Sequence, residues 1–371
     1  MFRGLFSHQI NAERILMSIS QLAQHFISNS PDFYGDLSID DIDEKHNKIV
    51  NNAYLEFGGA NNSWDNFRNW AGQGDGLAPM NFSTEVLQRQ GFIKNLAKYI
   101  YTKTVKYRSE VFFLQTLRDD FEVLKKIGAL TLLKDNPISQ TPGSGNYCEI
   151  HGYQLNQRWA RYIYLLRRIS ESGMLKEDGV WVDIGPFYGG LQGLSRKYYP
   201  KSKMVLVDFH HQLCRSYIYL ATLYPNNHHI LPYEISKYSN FEDLPENSFV
   251  YLPVSYFDQV KKNKCVNLLS NFFSLGEMRR SHFEGYMHSP LAQCALKQYF
   301  VNRFVSAPFF EKTYDSDVTF LDYVSSNRKL SYFDIFPMHH YQIIKRKVLG
   351  TDGYRNVSSS YFEVVLDQHS R

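Results

Sequence analysis

The run Val180-Trp181-Val182-Asp183-Ile184-Gly185-Pro186-Phe187-Tyr188-Gly189-Gly190-Leu191 constrains the fold more than any other stretch of this chain. A short apolar segment leads into a carboxylate, then a glycine-bearing loop, then a helical pattern. Further on, Met204-Val205-Leu206-Val207 is a second apolar segment, and it ends in Asp208. Two strands, each closed by an acidic residue and joined through one helix, read as the nucleotide-binding half of an open parallel sheet.

The alternation continues to the end of the sequence. Strands are expected at 180–184, 204–208, 248–257, 265–271 and 296–305, with a further strand inside 332–347 and an alternating one at 361–366. Helices are expected at 190–199, 212–224 and 274–292. The last strands read as an antiparallel pair added to a mostly parallel sheet. Upstream, 12–27 has helical spacing, Ser38 can cap a helix through Ile42, Ile49 and Leu55, 58–76 is a polar loop, and helical periodicity returns over 84–133. Pro137, Pro142, Gly143 and Gly145 mark a boundary, after which Asn156 caps an amphipathic helix ending at Gly173. The expected organisation is a helical N-terminal domain over 1–140 and an α/β domain over 141–371.

Composition narrows the function. A net charge of +4 without any long basic run argues against nucleic acid as a partner. Cys148, Cys214, Cys265 and Cys294 are scattered with no CxxC pair, which suits a reducing cytoplasm and argues against a zinc site. The segment around Ile15–Ile27 is interrupted by polar residues, and no run reaches the roughly 18 apolar residues of a membrane span. Tyr and Phe, 27 of each, supply core and offer ring faces to a sugar or a purine.

Ligands of such sheets sit beyond the carboxyl ends of the strands, where the topology switches direction. That places Asp183, the 185–190 loop, Asp208, Asn271 and Asn302 around one crevice. A pyrophosphate needs close backbone at G-x-G-x-x-G, whereas here Pro186 and Phe187 occupy the loop and Pro186 has no N–H. S-adenosylmethionine carries no phosphate. Asp183 suits its cationic methionine portion and Asp208 its ribose diol. Leu268-Leu269-Ser270-Asn271-Phe272-Phe273-Ser274-Leu275-Gly276-Glu277-Met278 forms a second block, in which Ser274 and Glu277 are spaced as a capping box and Glu277 is also placed to act near the reacting methyl.

These blocks together resemble the sugar O-methyltransferase family, a branch of the class I S-adenosylmethionine-dependent enzymes. The segments that carry the resemblance are VWVDIGPFYGGL (180–191), VLVDFHHQLCRSYIYLATLYP (205–225), VNLLSNFFSLGEM (266–278) and KQYFVNRF (297–304). It extends over roughly 135–367. It implies a Rossmann-like methyltransferase sheet, S-adenosylmethionine as methyl donor and a sugar or glycoside acceptor. Asp183 stands where the family has Glu; Gly185, Gly189 and Gly190 match its glycine loop; Asp208 matches the ribose carboxylate. Asn271, Ser274, Glu277, Met278 and Asn302 match its later motifs. Phe187 replaces the middle glycine, and His210-His211 stands where the family often has Pro and Glu. Cofactor contacts are thus expected from Asp183, Gly185, Pro186, Tyr188, Gly189, Asp208, Phe209 and Asn271.

A sugar hydroxyl reacts only as its proton is removed, so a base is needed, with Glu277, His210 and His282 the catalytic candidates and His211 a further one. A divalent metal is the other device, with Asp258 and Glu277 as conceivable ligands, but no spaced ligand set is visible and no metal cage is predicted. His339 and His340 are adjacent and on a strand would face opposite sides. Trp64, Trp70 and Tyr147 are candidate sugar-stacking residues, and the helical N-terminal region a candidate dimer surface. Two other readings stand. One is a nicotinamide-dependent sugar-nucleotide enzyme, for which Tyr99 and Lys103 have the spacing but precede the sheet; the other is a silent scaffold, motivated by Phe187.

Overall fold

Strands that are apolar on both faces must be covered on both, and the residues from Val180 onward meet that condition. The structure is a computed structural model, describing residues 18–28, 107–138, 147–257, 266–307, 316–324, 328–348, 351–358 and 360–368. In chain order its elements begin with α1 (Ser18–Ser28), α2 (Tyr107–Lys126), α3 (Leu130–Asp135), β1 (Cys148–Ile150), β2 (Tyr153–Leu155) and α4 (Gln157–Glu171). There follow β3 (Val180–Ile184), α5 (Gly190–Arg196), β4 (Lys203–Asp208), α6 (His210–Leu223), β5 (His228–Ile230), β6 (Ser248–Pro253) and α7 (Val254–Phe257). The remainder is β7 (Leu268–Phe272), α8 (Arg280–Met287), α9 (Pro290–Cys294), β8 (Lys297–Arg303), α10 (Phe320–Tyr323), β9 (Arg328–Ile335), β10 (Tyr341–Val348), β11 (Thr351–Ser358) and β12 (Tyr361–Gln368).

The described residues fall into two units. The first draws on Met1–Ala71, Arg168–Phe336 and Tyr361–Arg371, and the second on Gly72–Arg167 and Pro337–Ser360. The first holds an eight-stranded sheet in the order β5-β6-β4-β3-β7-β8-β12-β9. Strands β3, β4, β5, β6, β7 and β8 are parallel, and β12 runs antiparallel to both β8 and β9. This is the Rossmann-like, mostly parallel sheet with an antiparallel C-terminal strand that the sequence predicts.

Alternation along each strand divides its residues between two layers. Val180, Val182, Ile184, Val205, Val207, Val250, Leu252, Leu269 and Phe300 join Phe283, Met287, Leu291 and Tyr323 in one core cluster. Each such side chain taken fully from water contributes about 1.5–3 kcal/mol. From the opposite layer, Leu206 of β4 and Leu220 of α6 approach the glycine loop at Gly189. Helix α1 lies on α6, its buried Phe26 against His210, Tyr217 and Tyr251.

The second unit contains α2, α3, most of α4 and the hairpins β1–β2 and β10–β11. Asn156 caps α4 as expected, its Oδ1 accepting the Trp159 N–H at 2.7 Å. His339 and His340 lie between β9 and β10 rather than on a strand. His339 donates both its backbone N–H and its Nδ1–H to Asp120 Oδ1, at 2.9 and 2.8 Å, and this pairing raises its pKa.

Several boundaries differ from expectation. β5 carries no strand signal in the sequence, being three residues long with two histidines. The strand expected over 248–257 stops at Pro253 and turns into α7. The helix expected over 274–292 is a 3₁₀ turn and two short helices, broken where Ser289 caps α9 at Pro290. The helix expected from Ser38 and the loop expected at 58–76 lie outside the described residues.

His229 links β5 to the sheet's outer layer, with Nδ1 2.8 Å from Tyr251 Oη and Nε2 3.0 Å from the Tyr224 carbonyl. Burial lowers its pKa from 6.5 to about 4. The unfolded chain therefore takes up a proton below pH 6.5 that the folded imidazole refuses, so this stabilisation is complete above pH 6.5 and lost toward pH 4. His229→Gln is expected to destabilise the protein at pH 7, with a deficit that shrinks as pH falls to about 4. Urea unfolding across that range checks it; a deficit independent of pH would contradict it.

Candidate active site

The site is built where the sheet changes direction. From β3 the chain crosses to β4 on one side, and β7 adjoins β3 on the other. The parallel register sets Ile184 beside Val207 and beside Asn271, so the tips of three strands lie together.

The loop leaving β3 is wound through alternating left-handed residues: Gly185 at φ 72°, Phe187 at φ 58° and Gly189 at φ 76°. At Gly185 glycine is required twice over, since a Cβ there would fall 2.1 Å from Ser274 Oγ. Phe187 thus adopts a left-handed backbone that glycine takes more readily. It is held there by three partners. Its N–H donates to Asp208 Oδ2 at 3.2 Å, its carbonyl accepts from Ser216 Oγ at 2.7 Å, and the Arg215 guanidinium lies 5.0 Å from its ring.

The winding turns the loop's own donors inward. Gly185 N–H donates to the Val207 carbonyl, Phe187 N–H to Asp208 and Gly189 N–H to the Pro186 carbonyl. Pro186 has no N–H. Four of the five positions from 185 to 189 therefore have no hydrogen to offer a phosphate.

Asp208 ends β4 as expected, with Oδ1 accepting the Phe209 N–H at 2.8 Å and Oδ2 that of Phe187. A carboxylate has about four acceptor positions, so two hydrogen bonds leave capacity for hydroxyl donors. Burial raises its pKa to about 7, against the lowering effect of these N–H groups and Arg215. Asp183 is the penultimate residue of β3. It is 3% exposed, and its oxygens accept from Ser270 Oγ at 2.6 Å and Gln192 Nε2 at 2.5 Å. Trp181 Nε1 donates in turn to Ser270 Oγ. Through its bonds to Gln192 and Ser270, Asp183 braces α5 against β7. Its pKa is likewise pushed up to about 7 by burial.

Asn271 is also a brace. Fully buried, its Nδ2 donates to the Ile184 carbonyl and to Ser274 Oγ, and its Oδ1 accepts from Leu275 N–H and Asn302 Nδ2 at 3.0 Å each. Asn302 Oδ1 then takes the Gly276 N–H. The expected capping box between Ser274 and Glu277 does not form, because Asn271 holds Ser274 while Glu277 pairs with Arg303 Nη2 at 2.9 Å. Tyr188 is 1% exposed with its ring edge-on to Tyr219, so only its backbone can border the crevice. Pro186 is buried, whereas Gly185 and Phe209 are half-buried.

The three candidate bases separate clearly. Glu277 remains a third exposed, and burial raises its pKa while Arg303 opposes the rise. His210 is buried against Phe26, with a pKa lowered to about 4. His282 is exposed on α8. Among the described residues no three His, Cys, Asp or Glu side chains gather as metal ligands, and no helix is long and apolar enough to cross a membrane. Asp258, Trp64, Trp70, Tyr99 and Lys103 lie outside the described residues, as does the side chain of His211.

No family model matches the sequence, nor does any curated protein. Among solved structures, it is similar to a proposed methyltransferase of Bacillus halodurans at 8% identity, TM-score 0.36, over 55% of this chain and 99% of that one. A Methanosarcina mazei S-adenosylmethionine-dependent methyltransferase matches at 10% identity, TM-score 0.33, over 54% and 98%. TrmK of M. capricolum, in complex with S-adenosylhomocysteine, matches at 9% identity, TM-score 0.30, over 56% of this chain and 69% of that one. The fold assignment itself rests on the strand order.

Gly185→Ala is expected to cost more than about 2 kcal/mol, from the left-handed backbone and the Ser274 clash together. Adding Ser274→Gly should recover the steric part and leave the backbone part, which denaturant unfolding of the two variants measures.

Proposed function

We propose that the protein is an S-adenosylmethionine-dependent methyltransferase that methylates a sugar hydroxyl. One observation supports it above the others: the loop after β3 spends N–H groups on Val207, Asp208 and Pro186, which leaves few donors for a phosphate and suits a phosphate-free adenosine ligand. A dinucleotide fold would in addition run six parallel strands in the order 3-2-1-4-5-6, whereas β12 here enters antiparallel between β8 and β9. Asp208 is the residue for the ribose hydroxyls, and Gly185, Gly189 and Phe209 line the approach to it. Asp183 and Asn271 serve from beneath by holding the loop.

The cofactor, when bound, supplies an electrophilic methyl group. The chain must align an acceptor oxygen with it, and such alignment is worth up to roughly 7–11 kcal/mol. Glu277 is the base in this reading. Its partial exposure allows contact with a hydroxyl, and burial raises its pKa in the direction that makes it a better proton acceptor than an ordinary carboxylate. A positioned general base contributes about 10²–10⁴-fold to rate. Arg303 orients it and stabilises the ionised form that must receive the proton. A cytoplasmic enzyme acting on polysaccharide precursors or glycosylated metabolites would fit this chemistry.

Calorimetry with S-adenosylhomocysteine and with NAD tests the reading, and binding of NAD alone would end it. Asp208→Ala should weaken S-adenosylhomocysteine by about 1–3 kcal/mol through lost charge-assisted hydrogen bonds. An unchanged dissociation constant would place the ribose elsewhere.

A further inference from the structure

Four described non-glycine residues have left-handed backbone: His151, Phe187, Asn247 and Phe273. Asn tolerates that region, His151 turns the β1–β2 hairpin, and Phe187 is pinned by Asp208 and Ser216. Phe273, at φ 78°, is different. For a bulky aromatic such a backbone costs about 1–3 kcal/mol, and strain of this kind gathers at ligand sites. Glycine would make the same turn without that cost, so the ring itself calls for an explanation.

Its surroundings supply one. Phe273 directly follows β7 at the directional switch of the sheet, and its N–H donates to the Val301 carbonyl at 2.7 Å. The half-buried ring stands edge-on to two buried rings, Phe336 at 5.6 Å and Tyr361 at 5.4 Å. Arg303 Nε donates to Tyr361 Oη at 3.1 Å, and the same guanidinium holds Glu277. A fixed aromatic ring thus neighbours a fixed ion pair, an apolar surface with a few placed polar groups.

Resting on the methyltransferase reading, we propose that Phe273 is a specificity-determining residue: the acceptor sugar packs its C–H face on this ring, with the Glu277–Arg303 pair gripping hydroxyls at its edge. The left-handed turn aims the ring, and Phe336 and Tyr361 keep it from swinging away. The sequence hid this residue, since Phe272-Phe273 reads as the apolar end of a strand.

The test is a thermal-shift titration, with saturating S-adenosylhomocysteine, of methyl glycosides of glucose, galactose, mannose and rhamnose. At least one should stabilise the wild type. Phe273→Gly should weaken that glycoside about tenfold, and Phe273→Tyr should retain it. S-adenosylhomocysteine affinity should be equal in all three proteins, a result that a purely structural ring would not give. No glycoside response in a wild type that binds S-adenosylhomocysteine overturns the proposal and spares the methyltransferase reading. So does equal glycoside affinity in Phe273→Gly, or a loss of S-adenosylhomocysteine binding in that variant alone. A wild type that fails to bind S-adenosylhomocysteine removes both.

Discussion

The carboxamide of Asn271 holds together the tips of three neighbouring strands. It donates to the last carbonyl of β3 and to Ser274, and accepts from Leu275 and from Asn302 of β8. A buried polar group is costly when half-satisfied and rigid when fully satisfied. Here both ends of the amide are used, which an aspartate or a leucine of similar size could not achieve. The loop at Gly185 can take its tight path because Ser274 is drawn up beneath it, and Ser274 is there because Asn271 holds it.

Two buried aspartates complete this foundation in different ways. Asp183 faces into the protein and receives side-chain donors, whereas Asp208 stands at a strand tip and receives backbone donors. Burial pushes both toward a pKa of about 7, and the Asp183 carboxylate adds to the rise at Asp208. A ligand bringing hydroxyl donors or positive charge to Asp208 would favour its ionised form, so ligand uptake and proton release belong to one equilibrium.

Much of this was legible in the residues. Apolar runs ending in Asp183 and Asp208 mark β3 and β4 because a strand covered on both faces has few alternatives in composition. The antiparallel strand over 361–368 shows in its alternation. What the sequence concealed arises from partners distant along the chain. The Ser274–Glu277 spacing promises a capping box, but Asn271 and Arg303 outcompete it. Asp183 carries the same signal whichever partners it takes, and its bond to Ser270 follows from the β3–β7 register, which no local pattern reveals. β5 is too short to leave a periodic mark.

The place of β12 also bears on how the molecule is assembled. It fits between β8 and β9, although β9 precedes it in the chain. Residues 328–335 therefore have no neighbour to join until 361–368 have docked on β8. Closing such a non-local arrangement carries an entropic barrier before any pairing rewards it, which slows folding. During synthesis, β8 would wait with a bare edge, exposed to unwanted pairing, until nearly the whole segment had emerged from the ribosome.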